Sequence, residues 1–205
     1  MVRDGLYYGG GMLLAAIFVG VVFHPGWAAP FVVLAAFCLW FFRDPERSIP
    51  EGPVAVSPAD GKITHVTPME DGGVRVSVFL NIFNVHVNRA PAAGRITSVQ
   101  YRAGRFKMAH LEEASDLNEQ NTLVVEPSEF ESGPIEFKQI AGLVARRIVC
   151  YKGVGDVVQR GERFGHIQFG SRTDVRFGPE WELTVGRGDK VAAGSSVIAR
   201  LRDTA

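Results

Sequence analysis

Few of the 205 residues are of a type that does chemistry at neutral pH. Of the five histidines, His65 and His166 lie in alternating strand-like runs, His24 in an apolar turn and His110 in a polar loop, the settings of structural or solvated imidazoles. His86 differs. It sits in FLNIFNVHVNRAP, residues 79–91, where a strand-like run ends in a polar cluster closed by proline, and histidine is the usual acid-base group near neutrality. Gly170-Ser171, within Phe169-Gly170-Ser171-Arg172, follows another strand-like run. An ordinary turn would explain such a pair. With Asp60 and His86, however, Ser171 supplies the ingredients of a base-activated hydroxyl: an orienting carboxylate, an imidazole and a nucleophile. Cys38 and Cys150 stand far apart, with no CxxC and no histidine at ligand spacing. A disulfide framework and a zinc site are therefore disfavoured, no metal is expected, and both cysteines read as buried free thiols.

The elements that must position these groups are short and β-rich from Val54 onward. Strands are expected at 54–57, 61–66, 74–80, 95–101, 122–126, 135–140, 147–151, 166–169 and 174–177, separated by Gly, Pro, Asp and Asn. That spacing predicts a mostly β, antiparallel domain. The polar stretch from Phe106 to Glu119 reads as a loop or short helix long enough to act as a lid. One repeat is visible: Gly155-Asp156-Val157-Val158-Gln159-Arg160-Gly161 recurs 33 residues later as Gly188-Asp189-Lys190-Val191-Ala192-Ala193-Gly194. Each copy precedes a small apolar strand, Phe164 to Phe169 and Ser196 to Leu201. The unit resembles the turn-strand element of lipoyl and biotinyl-type hybrid barrels, which implies a duplicated β scaffold of that kind.

Charge divides the chain unevenly. Lys and Arg number 22 and Asp and Glu 22, so net charge is zero and a nucleic-acid partner is disfavoured. Only Arg3 and Asp4 are charged among the first 42 residues. Gly5 to Phe23 is an uncharged run close to the ~20 residues that cross a bilayer. Trp27 to Phe42 is a shorter one, with His24-Pro25-Gly26 as the turn between them. Arg3, Arg43 and Arg47 flank this hairpin while its turn carries no Lys or Arg, which predicts a cytoplasmic domain, residues 43–205, behind a membrane hairpin, residues 1–42. A re-entrant or interfacial hairpin is the alternative, because the second run is short and carries Pro30.

Taken in order, Arg43-Asp44-Pro45-Glu46-Arg47 after a hydrophobic hairpin, Ser57-Pro58-Ala59-Asp60-Gly61, Asn84-Val85-His86-Val87-Asn88-Arg89-Ala90-Pro91, Ala114-Ser115-Asp116-Leu117-Asn118-Glu119-Gln120-Asn121 and Phe169-Gly170-Ser171-Arg172 resemble the short bacterial and archaeal form of phosphatidylserine decarboxylase. The resemblance spans nearly the whole chain. It implies self-cleavage between Gly170 and Ser171 into a 170-residue and a 35-residue chain that remain together as a heterodimer or a higher oligomer. It also implies a covalent pyruvoyl cofactor made from Ser171, which forms a Schiff base with phosphatidylserine at a membrane surface on the cytoplasmic face of the cell membrane. Phosphatidylethanolamine and CO₂ are the implied products. His86 and Asp60 are the implied base and orienter, and Arg43 and Arg47 are candidates for the lipid phosphate. One departure stands out: longer members carry H-x-x-H at this loop, and here the second position is Arg89. A membrane-anchored serine hydrolase using Asp60, His86 and Ser171, and a noncatalytic lipoyl-like β module, are the competing readings.

Overall fold

A computed structural model describes residues 2–143, 147–168 and 170–202. Phe169, part of the motif and of one expected strand, lies outside the described residues. The chain forms two compact units that part after Glu46.

The first unit is a helical hairpin: α1 (Arg3–Val22), a 3₁₀ turn (Pro25–Ala28) and α2 (Ala29–Phe41). His24 caps the turn, its Nδ1 accepting from the Gly26 amide at 3.1 Å, and Pro25 supplies a φ suited to a first helical position. Small residues bring the helices together, since a side chain on Gly9 would collide with Leu39. Such a small-residue stripe permits close helix packing in an apolar solvent. Outward, Leu14, Phe18 and Val21 on α1 and Val33 on α2 are exposed. By length and composition α1 can cross a membrane, whereas α2 is shorter.

The second unit is built of strands. They are β1 (Val54–Val56), β2 (Gly61–Pro68), β3 (Val74–Leu80), β4 (Val87–Arg89), β5 (Gly94–Arg102), β6 (Gln120–Pro127) and β7 (Ile135–Ile140). After them come β8 (Ile148–Cys150), β9 (Val157–Val158), β10 (Arg163–Ile167), β11 (Ser171–Phe177), β12 (Trp181–Leu183), β13 (Lys190–Val191) and β14 (Val197–Leu201). A short helix, α3 (Ala114–Leu117), interrupts them. An eight-stranded antiparallel sheet runs β13-β2-β3-β11-β7-β6-β5-β9, and two three-stranded sheets run β1-β14-β12 and β4-β10-β8. Ile63, Val78, Leu80, Leu123, Phe137 and Val175 belong to one buried apolar core. Phe164 of β10 packs edge-to-face on Phe137 at 4.9 Å.

The repeat seen in sequence is a repeat in space. Gly188 donates to the Ile63 carbonyl at 2.8 Å and Gly155 to that of Ile96 at 2.8 Å, while Ile63 and Ile96 donate back to Asp189 and Asp156, each at 2.9 Å. The two aspartates also match. Asp189 Oδ2 accepts from Gly186 N at 2.8 Å and Asp156 Oδ2 from Gly153 N at 2.8 Å. Every partner in one set lies 33 residues from its counterpart in the other, so β2 with β13 and β5 with β9 occupy corresponding edges of the large sheet.

Candidate active site

Strand β11 starts at Ser171, three residues before the expected position, because a polar Ser-Arg-Thr-Asp run is buried here on both faces. Side chains alternate along a strand. Ser171 and Thr173 share the face of the core residues Val175 and Phe177, and both hydroxyls are buried with no hydrogen-bond partner among the described residues. Opposite Thr173 stands Gln139, whose Nε2 donates to Asn88 Oδ1 at 2.9 Å. The Asn88 amide nitrogen is likewise buried and without a partner. A buried donor or acceptor left unpaired costs roughly 1–3 kcal/mol, so two such hydroxyls on one strand face, with a third such group on the residue that Gln139 reaches, mark a place built for something other than stability.

The residue before β11 is unusual as well. Gly170 has φ +71, the left-handed region that favours glycine, with open space where a side chain would lie. Its amide points to His86 Nε2 at 3.4 Å. His86 is buried, and its Nδ1 lies 3.0 Å from the Asn84 carbonyl, which can only accept. The ring proton therefore sits on Nδ1, and Nε2 keeps a lone pair directed at the Gly170-Ser171 segment. On the other side, a methyl group on Gly142 would collide with the Gly170 carbonyl oxygen and press on the Ala109 side chain at 3.3 Å. Gly142→Ala is expected to cost about 1–3 kcal/mol by overpacking. It should also move the Gly170 carbonyl and slow any scission there about tenfold or more, as followed by the time course of the 35-residue fragment on a denaturing gel. An unchanged rate would mean that this carbonyl has no need of the Gly142 wall.

Among the other expected site residues, Asp60 does not orient His86. Its carboxylate accepts both oxygens' worth of contact from Arg47 Nη2, at 2.9 Å each, and a hydrogen bond from Ala193 N at 2.8 Å. The backbone carbonyl of Asn84 occupies the orienting position instead, a contact that residue types cannot reveal. Arg47 is accordingly bound to Asp60 and mostly buried. Arg43 belongs to the helical unit, where its guanidinium lies 4.2 Å from the Trp40 ring centroid and Nη1 donates to the Trp40 carbonyl at 3.0 Å. This placement suits a helix C-terminus. Arg89, at the position of the missing second histidine, is buried and donates to Gly161 O at 3.0 Å. His166 is buried on the neighbouring strand, with the Tyr151 hydroxyl 2.7 Å from its Nδ1.

The other face of β11 carries a charged cluster that sequence reasoning missed. Arg172 and Asp174 are both buried; Nε donates to Asp174 Oδ1 at 2.6 Å and Nη2 to Ser77 Oγ at 2.6 Å. Arg172 Nη1 also reaches the Leu111 carbonyl at 3.0 Å, and Ser115 Oγ donates to Asp174 Oδ2 at 2.6 Å. The expected lid is thus pinned to the sheet. Asn118 closes its base, exchanging hydrogen bonds with Lys107 at 2.9 Å each way and donating to Ala141 O at 2.8 Å. The i, i+2 alternation of Arg172 and Asp174 was the available signal for a strand face. Beside them, His65 Nε2 lies 3.2 Å from Glu112, a contact that favours the imidazolium. Burial first, then the positive fields of Arg172 and Arg187, prevail and hold its pKa below the usual histidine value. Burial pushes the Cys150 thiol up, so it is a poor nucleophile.

Residues 34–199 match the family model described as phosphatidylserine decarboxylase. A protein of Solibacter usitatus named phosphatidylserine decarboxylase proenzyme is 55% identical over 203 residues, covering 99% of this chain and 98% of its own. Proteins of the same name from Magnetococcus marinus (44% identical, 98% of each chain) and Neisseria meningitidis (42%, 99% of this chain and 78% of its own) are also similar.

Proposed function

The chain belongs to the phosphatidylserine decarboxylase family, and from that premise we propose that it decarboxylates phosphatidylserine to phosphatidylethanolamine with a pyruvoyl group made from its own Ser171. The observation that carries the cofactor reading is the orphaned Ser171 hydroxyl beside a left-handed Gly170 whose amide faces the basic nitrogen of His86. The Ser171 oxygen attacks the Gly170 carbonyl carbon and displaces the amide nitrogen, giving an ester. His86 Nε2 takes the hydroxyl proton and delivers it to that nitrogen. Loss of the α-proton then expels the Gly170 carboxylate, and addition of water to the dehydroalanine releases ammonia and leaves the keto acyl group at residue 171. The buried Thr173 hydroxyl and Asn88 amide nitrogen, without hydrogen-bond partners among the described residues, fit the polarity of such a group.

Once formed, that group supplies a ketone carbonyl that accepts the electrons released when the substrate loses CO₂. The chain's own residues orient and exchange protons around it. His86 Nε2 returns a proton to the carbon that bore the carboxylate, so one histidine serves both stages in place of an H-x-x-H pair. Asp60 is a positioning residue that neutralises Arg47 and holds the Ala193 turn. We assign the lipid phosphate to Arg43, with Arg47 contributing only where it leaves Asp60. The spatial repeat supports a duplicated, lipoyl-like β scaffold, the apolar α1 supports attachment to the cell membrane, and Arg3, Arg43 and Arg47 flanking an Arg- and Lys-free turn support a catalytic unit on the cytoplasmic face.

Mass measurement of the purified protein tests this reading. It should contain a 170-residue chain and a 35-residue chain whose first residue is keto-blocked, and it should release CO₂ from phosphatidylserine. A single uncut chain in active protein would overturn it. His86→Ala is expected to slow cleavage by about 10²–10⁴-fold, read as persistence of the precursor on a denaturing gel. Cleavage at the parental rate would remove histidine from the first stage.

A further inference from the structure

Two segments reach the Gly170-Ser171 bond and a third lies beside the second, and each offers large apolar side chains to solvent. The first leads into His86. Asn81 Oδ1 accepts from Phe83 N at 2.8 Å and Asn84 Oδ1 from Asn81 N at 2.9 Å, a doubly tied turn that displays Ile82 and Phe83, the latter 71% exposed. The second runs through Gly142, against the Gly170 carbonyl, to Leu143, 51% exposed. The third passes Ala109, beside Gly142, and displays Met108 at 51%. Such clustering of large exposed apolar groups around a reactive bond is uncommon on a soluble surface and marks an interaction site.

The third segment continues into His110, whose ring meets Phe79 edge-on at 5.9 Å and lines an open cavity of about 430 Å³ with Lys62, His65 and Arg187. Among the described residues Lys62 and Arg187 make no ion pair. An apolar rim beside uncompensated positive charge is the pattern that anionic bilayers attract: apolar tips enter the acyl boundary while cations meet phosphates.

We propose that Ile82, Phe83, Met108 and Leu143 dip into the bilayer around the reactive bond, with Lys62 and Arg187 resting on anionic headgroups. The proposal rests on the decarboxylase reading, since a substrate that keeps its acyl chains in the membrane specifies the bilayer as the occupant. Turns held by side-chain hydrogen bonds give the tips a fixed reach, so the headgroup comes to residue 171 without the lipid leaving its leaflet.

The test compares the full chain with its Phe83→Asp/Leu143→Asp variant on two forms of substrate: vesicles of phosphatidylcholine and phosphatidylserine, and monomeric dihexanoyl-phosphatidylserine. Activity on vesicles should fall at least about tenfold, and activity on the monomeric lipid by less than about twofold. Lys62→Glu/Arg187→Glu should lower vesicle activity at low salt, with the difference shrinking at high salt. Equal losses on both substrates would overturn the proposal by placing the rim in the chemistry, and no loss on vesicles would overturn it outright. A drop in oligomeric mass with vesicle activity intact would overturn it in favour of a second copy as the occupant. Failure of the parent protein on both substrates would instead sink the decarboxylase reading.

Discussion

Ser171→Ala should yield one uncut chain of 22.4 kDa with no measurable decarboxylation. The loss is absolute in kind, because the substitution removes both the nucleophile for scission and the atoms from which the keto group is made. At least about 10⁴-fold is the expected deficit, the scale seen when a covalent nucleophile is deleted. Stability should move the other way. The Ser171 oxygen is buried with no hydrogen-bond partner among the described residues, so removing it relieves an unmet polar demand and leaves stability equal or higher by about 1 kcal/mol. Denaturing electrophoresis, a CO₂ release assay and a thermal melt together separate this outcome from misfolding. A melt well below that of the still-uncut parent precursor, which keeps the hydroxyl, would mean the hydroxyl is engaged, and a cut chain in the variant would place the nucleophile elsewhere.

The second large effect concerns folding. Asp174→Ala leaves the fully buried Arg172 guanidinium with Ser77, the Leu111 carbonyl and, at 3.8 Å, the half-exposed Glu112 carboxylate, none of which replaces its close buried partner. Breaking one side of a buried pair typically costs about 3–5 kcal/mol, a large part of the 5–15 kcal/mol that holds a typical domain. The melting temperature should drop by about 10 °C for a chain of this size, and the 106–119 segment should lose its grip through Ser115. The double variant Arg172→Leu/Asp174→Leu removes both charges and should recover much of the loss, because well-packed apolar replacements of buried pairs are often neutral. A single variant melting within about 2 °C of the parent would show that water or neighbouring groups already satisfy Arg172.

How much of this was legible beforehand depended on whether a position is decided locally. Val74–Leu80 and Ile135–Ile140 were readable to their ends, because β-branched and apolar residues are bounded by turn formers there. The 33-residue repeat was readable because its glycines and aspartates make the same local turns twice. The start of β11 was not, since Ser171 to Asp174 resembles a loop until Arg172 and Asp174 find each other beneath a segment some 60 residues earlier. At the site, residue type pointed to His86 and Ser171. It could not show that a backbone carbonyl, that of Asn84, holds the imidazole while Asp60 serves Arg47. Gly142 was invisible for a related reason, since its role is the absence of a side chain at one place in space.

The position of β11 bears on the working life of the enzyme. It lies between β3 and β7, while β14, near the C-terminal end of the described residues, lies between β1 and β12. If the chain is cut before Ser171 as proposed, the fragment that carries the reactive group is woven into two sheets and cannot be exchanged for a fresh one without dismantling both. On the proposed reading each molecule therefore makes its keto group once. A keto group spoiled by a stray amine or by reduction cannot be replenished from solution as a dissociable coenzyme can, and the cell must replace the whole protein. Sustained lipid synthesis then depends on the supply of new chains as much as on the turnover of old ones.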